Sequence, residues 1–335
     1  MHTGNAYKLS EFLRWTRRDL YVLMILGVVP VVAYQLGHIK WLGIPWTVVA
    51  LLGTATAFIV GFKNVQTYNR TWEARQIWGD IISSSRAWGT MSRDSFDQAD
   101  KSQELVYRHL AWLTALLYQL REHRAWETTS QAHNAEYLKY YAIPERHTAL
   151  ATELAKYLSE AELKQMLATG SKATQIMSLQ SQTIKGLFAS QAIVVAQFLD
   201  MQRSIKEFLW HQGRCERLKD FPYPRQYATI NALFIKLFCL LLPFGLLREF
   251  DKLNDSVEGV LKGHMVWLVI PFSVLISWMY TSLERVGEST ENPFEGSAND
   301  VPISHMCRTA EIELREMLGE TDVPPPLAPR HHIVL

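Results

Sequence analysis

Residue types that commonly carry out catalysis occur along the chain, but their spacing forms no catalytic or metal-binding set. The 11 histidines include no His-Glu-x-x-His motif, and the three cysteines lie far apart and are odd in number. Neither a Gly-x-Ser-x-Gly nucleophile motif nor a glycine-rich phosphate loop is present. We therefore expect no enzyme activity, no metal and no cofactor.

One stretch has a pattern that could line an ion pathway, which needs no catalytic residues. Thr54, Phe58 and Phe62 are spaced four residues apart, so they lie along one face of a helix. Several copies of this face around one axis would form a narrow apolar constriction, which can gate ions by losing its water. An isolated aromatic stripe more often packs against another helix, and small residues such as Gly53 and Gly61 favour close packing. The pattern alone leaves pore lining and helix packing both open.

The helix that carries this stripe is one of four charge-poor segments. Residues 20–36, 41–62 and 265–283 contain no charged side chain, and residues 227–247 contain one, Lys236. A bilayer core requires about 20 apolar residues per helix, so these segments predict four membrane crossings in two hairpins. Lys236 could face a pore or a packed interior, reach the interface, or pair with another side chain.

The overall composition fits a membrane protein and argues against one class of partner. Hydrophobic residues make up 48% of the chain, which suits a protein in contact with lipid. The 34 Lys and Arg residues nearly balance 33 Asp and Glu, giving a net charge of +1. This balance argues against a nucleic-acid binder, which needs an excess of cations to contact phosphates.

The crossings divide the chain into five parts. Basic residues flank the first, second and third crossings on one side, which predicts cytoplasmic termini and a cytoplasmic middle region. The middle region repeats apolar residues at helical spacing, so we expect an all-α fold. The parts are the N-terminal helix and first hairpin (1–62), a cytosolic helical region (63–226), the second hairpin (227–283), cytosolic helices (284–320) and a proline-rich tail (321–335). We expect the tail to be disordered or to lie as an extended strap over a neighbouring subunit.

The residues after the second crossing give the chain a family resemblance. The segment GFKNVQTYNRTWEARQIWG resembles the bestrophin signature, in which Gly-Phe at the end of the second helix leads into an Arg-Trp-Trp-type segment. Later blocks agree and follow the family's order, among them Glu-Asn-Pro-Phe at 291–294. The signature residues, to which we assign structural roles, are Asn64, Arg70, Trp72, Glu73, Arg75, Asn292, Pro293 and Phe294. Arg70 and Glu73, three residues apart, could form an ion pair on one helix face.

The resemblance implies a homopentameric ion channel in the bacterial inner membrane, with one pore along the fivefold axis. It places a hydrophobic neck at Thr54, Phe58 and Phe62. It also implies a second, cytosolic aperture made by one apolar residue per subunit, which we place at Ile193. Two departures stand out, because Thr71 replaces a second tryptophan and Thr54 is polar where the neck residue is commonly apolar.

The resemblance also bears on the ion and on its regulation. The bacterial branch includes channels that favour cations, so we expect monovalent cations to pass. A chloride channel of the same architecture and a non-conducting membrane scaffold are the alternatives. Animal relatives carry a calcium-binding acidic run after Asn-Pro-Phe, whereas residues 295–300 here have too few carboxylates for a calcium cage. We therefore expect Glu295 and Asp300 to be surface or helix-start residues.

Overall fold

The computed structural model describes residues 1–96, 99–129, 131, 134–135 and 138–335, and these ranges are helical apart from loops and isolated backbone bridges. Their ten α-helices are α1 (Leu9–Gln35), α2 (Trp46–Asp94), α3 (Ala99–Arg121), α4 (Leu150–Leu154), α5 (Glu160–Leu167), α6 (Lys172–Ala189), α7 (Val195–Asp220), α8 (Arg225–Lys252), α9 (Val269–Ser289) and α10 (Ile303–Met317). Single 3-10 turns lie at Lys40–Leu42, Pro144–Arg146, Leu253–Asp255, Gly259–Leu261 and Met265–Leu268. The expected all-α fold is confirmed for the described residues.

Helix α2 dominates the architecture because nothing in its 49 residues stops it. It starts directly after Pro45, contains no proline, and its four glycines are isolated from one another. At ~1.5 Å per residue it is about 74 Å long, more than twice the ~30 Å hydrocarbon core of a bilayer. One continuous helix therefore carries the stripe and extends far beyond the apolar bundle.

Four helical segments are long and apolar enough to cross a membrane, as the sequence predicts. They are Leu9–Gln35, Lys40–Asp94, Arg225–Asp255 and Met265–Ser289. Within this bundle α1 packs against α9, and α2 packs against α8. Close approach of α2 and α8 requires small residues, since a Cβ atom on Gly53 would lie 2.7 Å from the Phe238 ring and one on Gly245 would lie 2.7 Å from Val49. The chain is a multi-pass membrane protein.

A second core, here called the extramembrane core, forms around α3. Its centre is a cluster of Trp88, His109, Trp112 and Phe208, with His109 and Phe208 ring centroids 4.5 Å apart. Burial lowers the pKa of His109 to about 3, so its ring is neutral, and its Nε2 lies 2.9 Å from the Ser85 hydroxyl. The end of α2 is thereby held in this core, so α2 connects the membrane bundle to the extramembrane core.

The proline-rich tail is not a free, disordered end, because it folds back on its own chain. The Arg308 guanidinium donates to the Pro325 carbonyl at 3.2 Å, and the His305 amide donates to the Leu335 carbonyl at 2.6 Å. The Val334 amide donates to the Met1 carbonyl at 3.0 Å. An extended segment satisfies its backbone groups through such contacts even where proline prevents a helix.

Candidate functional site

The aromatic stripe forms the exposed face of α2. Phe58 is 66% exposed and Phe62 70%, and Thr54 and Val65 are exposed beside them. The row continues past the apolar segment at a spacing of three to four residues, through Asn69, Trp72 and Gln76. An open apolar groove runs along it, lined on its other side by Phe238, Leu242, Ile276, Met279 and Tyr280. Nothing within the described subunit covers the two phenylalanines. Large exposed apolar patches of this kind usually mark an interaction site.

The Thr54 side chain is oriented by its own helix. Its hydroxyl donates to the Ala50 carbonyl at 2.9 Å, so the proton is directed along the helix. The oxygen keeps its lone pairs on the exposed face. Neither this residue nor the two phenylalanines brings a formal charge to the stripe.

The opposite face of α2 is fastened by polar contacts just beyond Phe62. Arg70 donates to three backbone carbonyls, at 3.0 Å to Glu291, 2.9 Å to Leu218 and 2.7 Å to Phe221. The Thr71 hydroxyl donates to the Thr290 carbonyl at 2.9 Å. These bonds join α2 to the end of α7 and to the loop after α9, and so they fix which face of α2 remains exposed.

The other signature residues near Arg70 also contact distant segments. Glu73 forms its ion pair with Arg217 of α7, so the pairing with Arg70 expected from the spacing is wrong. Trp72 is half-exposed and stacks on Tyr68 with ring centroids 6.3 Å apart. Sequence spacing could not reveal Arg217 as the partner of Glu73, because it lies far away along the chain, whereas Tyr68 precedes Trp72 by one helical turn.

Asn64 and Arg75 are the remaining signature residues of α2, and Lys236 on α8 is the one charged residue within the predicted crossings. Asn64 lies so close to Gly287 that a Cβ atom there would be 2.3 Å from its Oδ1. Arg75 is exposed and has no ion pair within the described ranges. Lys236 is also exposed on α8, which does not fit a place in a packed interior.

The block around Asn292, Pro293 and Phe294 forms a tightly folded loop. Phe294 is fully buried with φ at +73°, a conformation that bulky residues rarely adopt. The Asp300 carboxylate holds this turn by accepting the amides of Phe294 at 2.9 Å, Gly296 at 2.8 Å and Val301 at 2.7 Å. The Asn292 side chain donates to the Trp126 carbonyl at 3.4 Å.

Glu295 and Asp300 were expected at the surface or at a helix start, and the surface placement is wrong, since both are buried. Arg121 at the end of α3 donates to Asp300 at 3.1 Å and to the Phe294 carbonyl at 3.0 Å. Glu295 accepts the amide and the hydroxyl of Thr128, each at 2.9 Å. The described residues contain no group of three His, Cys, Asp or Glu placed to hold a metal. The loop is held by an internal arginine and by hydrogen bonds.

The candidate aperture residue is placed differently from the expectation. Ile193 is 4% exposed and packs in the extramembrane core, whereas an aperture residue has to reach a free surface. The adjacent Val194, which caps the N-terminus of α7, is 64% exposed. Three consecutive branched apolar residues at 193–195 give no sequence signal for which of them is buried.

Comparison with known proteins gives matches over most of the chain. Residues 15–316 match the family model described as bacterial/fungal bestrophin protein. The voltage-dependent anion channel-forming protein YneE of Escherichia coli K12 is 25% identical over 306 residues, covering 91% of this chain and 88% of that protein. A similarly named protein of Ralstonia nicotianae is 23% identical over 305 residues, covering 89% and 86% of the two chains. The crystal structure of a bacterial bestrophin homologue from Klebsiella pneumoniae superimposes with a TM-score of 0.76 at 25% identity, covering 92% of this chain and 99% of that one.

Proposed function

The chain belongs to the bacterial and fungal bestrophin family, and on this premise we propose that it forms a homopentameric channel for small monovalent ions. Several of its relatives are named as voltage-dependent anion channel-forming proteins, which supports a channel rather than an enzyme. The observation that carries the proposal is the uncovered row of Thr54, Phe58 and Phe62 on α2. A scaffold would have no need for this row to be free of its own subunit and aligned along one long helix.

We assign the hydrophobic neck of the pore to these three residues. Identical subunits that contact one another head-to-tail can close into a ring around one axis, and α2 then repeats around it. Rings of Phe58 and Phe62 would form a narrow, uncharged constriction that ions cross only when it is wetted. The Thr54 ring would be wetter, because its hydroxyl oxygens face the same side.

We assign the second constriction to Val194 in place of Ile193. Val194 is exposed at the start of α7, and α7 packs along the extramembrane part of α2. A ring of five valine side chains would be apolar and small. It would restrict the passage of ions by size and by partial dewetting, as in the neck.

For the ion, the relatives favour the anion alternative over the cation preference expected from the sequence. Several of the similar proteins are named as anion channel-forming proteins. Phenylalanine edges carry the positive end of the ring quadrupole, so edges that point to the axis favour an anion weakly. We therefore propose that chloride-like monovalent anions pass.

The orientation in the membrane follows from the distribution of basic residues. Arg14, Arg17 and Arg18 precede the first crossing, and the extramembrane core follows the second on the same side. Positively charged flanks remain in the cytoplasm. We propose that the protein lies in the bacterial inner membrane with both termini and the extramembrane core in the cytoplasm.

Single-channel recording under a KCl gradient tests this function. The purified protein is placed in a planar bilayer with a tenfold KCl gradient, for which the potassium and chloride equilibrium potentials lie about 59 mV on opposite sides of zero. We expect current that reverses near the chloride potential, and bilayers without protein should remain silent. Reversal near the potassium potential would refute the anion assignment, and silence of the wild type and of a Phe58→Ala, Phe62→Ala variant would favour the scaffold.

A further inference from the structure

Glu295 is a fully buried carboxyl group that forms no ion pair with any residue the structure describes. Its side chain is 0% exposed, and within the described ranges its two oxygens accept the amide and hydroxyl protons of Thr128 and no others. Arg146 approaches the residue but donates to its backbone carbonyl at 3.3 Å, not to the carboxyl group. A buried carboxylate is costly unless it is paired, so this group gains by remaining protonated.

The charged neighbours of Glu295 are already engaged with one another. Arg121 pairs with Asp300 at 3.1 Å and with Glu145 at 3.5 Å, and Lys219 of α7 pairs with Glu127. Asp300 and Glu127 therefore face Glu295 as like charges, although each has its own partner. The described titratable groups around the site, from every element packed on it, are the Met1 amino group, Arg121, His123, Glu127, Tyr141, Glu145, Arg146, Lys219, Asp300 and Cys307.

We propose that Glu295 is a proton-operated latch for the loop 291–301. When it is neutral, the carboxyl group keeps the Thr128 amide bond and can donate its proton to the Thr128 hydroxyl oxygen, and the loop remains closed on residues 126–129. When it releases this proton to water, an unpaired negative charge remains beside Asp300 and Glu127. The closed loop is then disfavoured relative to an opened loop in which water reaches the carboxylate.

The latch acts on the channel through α2, and this step rests on the proposed function. The loop holds α2 by accepting the Arg70 guanidinium at the Glu291 carbonyl, and the neighbouring Thr290 carbonyl accepts the Thr71 hydroxyl. These bonds lie about two turns beyond Phe62. Opening of the loop would weaken the contacts of Arg70 and Thr71 that hold α2. We therefore expect the neck to open more often at alkaline pH.

The direction of the pH dependence follows from the local chemistry. Burial, together with the charges of Asp300 and Glu127, raises the pKa of Glu295 from 4.5 to about 8, although the Thr128 bonds oppose this shift. An opened loop would return the group towards its ordinary value. The closed loop is therefore most stable below about pH 4.5, and this stability is lost as pH rises to about 8.

Amide hydrogen–deuterium exchange of the full-length protein in lipid nanodiscs tests the latch without requiring conduction. After correction for intrinsic rates, exchange at Thr128, Phe294 and Gly296 should rise by up to about tenfold per pH unit between pH 6 and 8 and then level off. Glu295→Gln, which retains the hydrogen-bonding shape without a titrating proton, should abolish this rise. The matched control is Glu160→Gln, an exposed change at the start of α5 that should leave the wild-type profile intact.

The outcomes separate the latch from the channel. A flat wild-type profile, or equal profiles for wild type and Glu295→Gln, would overturn the proposal. If Glu295→Gln does not assemble, the wild-type protein alone tests the proposal. Exchange in the loop should then rise with pH, whereas exchange in α3 peptides should not. Wild-type current should increase from pH 6 to 8 and Glu295→Gln current should not. Absence of any current would contradict the channel function and leave the exchange result to judge the latch.

Discussion

Replacing Phe58 and Phe62 together with alanine is expected to raise the ionic current of the wild-type protein about tenfold or more. The two phenylalanines are 66% and 70% exposed on the α2 row and are the two aromatic residues of the proposed neck. Removing both rings would widen the constriction and keep it wetted, and each ~1.4 kcal/mol removed from a barrier is tenfold in rate. Single-channel conductance and open probability in planar bilayers measure the effect.

The control for this variant is a similar truncation away from the stripe. Ile25 is 62% exposed on α1, so Ile25→Ala removes apolar surface without touching α2. Its current should equal that of the wild type. If the double alanine variant loses its oligomeric state and its current does not rise, the stripe packs subunits together and does not line a pore.

Replacing Arg121 with methionine is expected to destabilise the extramembrane core by about 3–5 kcal/mol. Arg121 is buried, and its guanidinium forms ion pairs with Asp300 and Glu145 and donates to the Phe294 carbonyl. Methionine fills much of the volume, so the loss reflects the charge and hydrogen bonds. Asp300 would be left as a buried carboxylate without its cation while it still holds the Phe294 turn.

Thermal or denaturant unfolding of the extramembrane core measures this loss, with an exposed ion pair as the control. Arg86 binds Glu313 through two bonds of 2.8 Å at the surface, so Arg86→Met should cost only about 0–1 kcal/mol. Equal effects of the two substitutions would mean that the loop 291–301 does not depend on Arg121.

The features that the sequence could predict are those with local signals. Charge-free length and helical periodicity predicted four crossings, and both are properties of consecutive residues. The exposed row on α2 was also visible as a spacing of four, although the spacing alone could not separate packing from lining.

The features that the sequence could not predict depend on distant contacts. Glu295 and Asp300 lie in a short polar stretch that looks like a surface loop, yet Arg121 and Thr128 bury them. Arg70 has an acidic residue at helical spacing but uses carbonyls from two remote segments. Ile193 and Val194 are chemically alike, and only the start of α7 decides which one is exposed.

The position of the pore along α2 is tested most directly by thiol modification of a Phe62→Cys variant during recording. Of the native cysteines, Cys215 and Cys239 are buried, and treated wild type controls for the partly buried Cys307. We expect a bulky methanethiosulfonate reagent to remove most of the Phe62→Cys current. The same reagent should leave Leu275→Cys, exposed on α9, unaffected. Full current through a Phe62→Cys channel whose labelling is verified by mass would contradict the assignment of the neck to this face of α2.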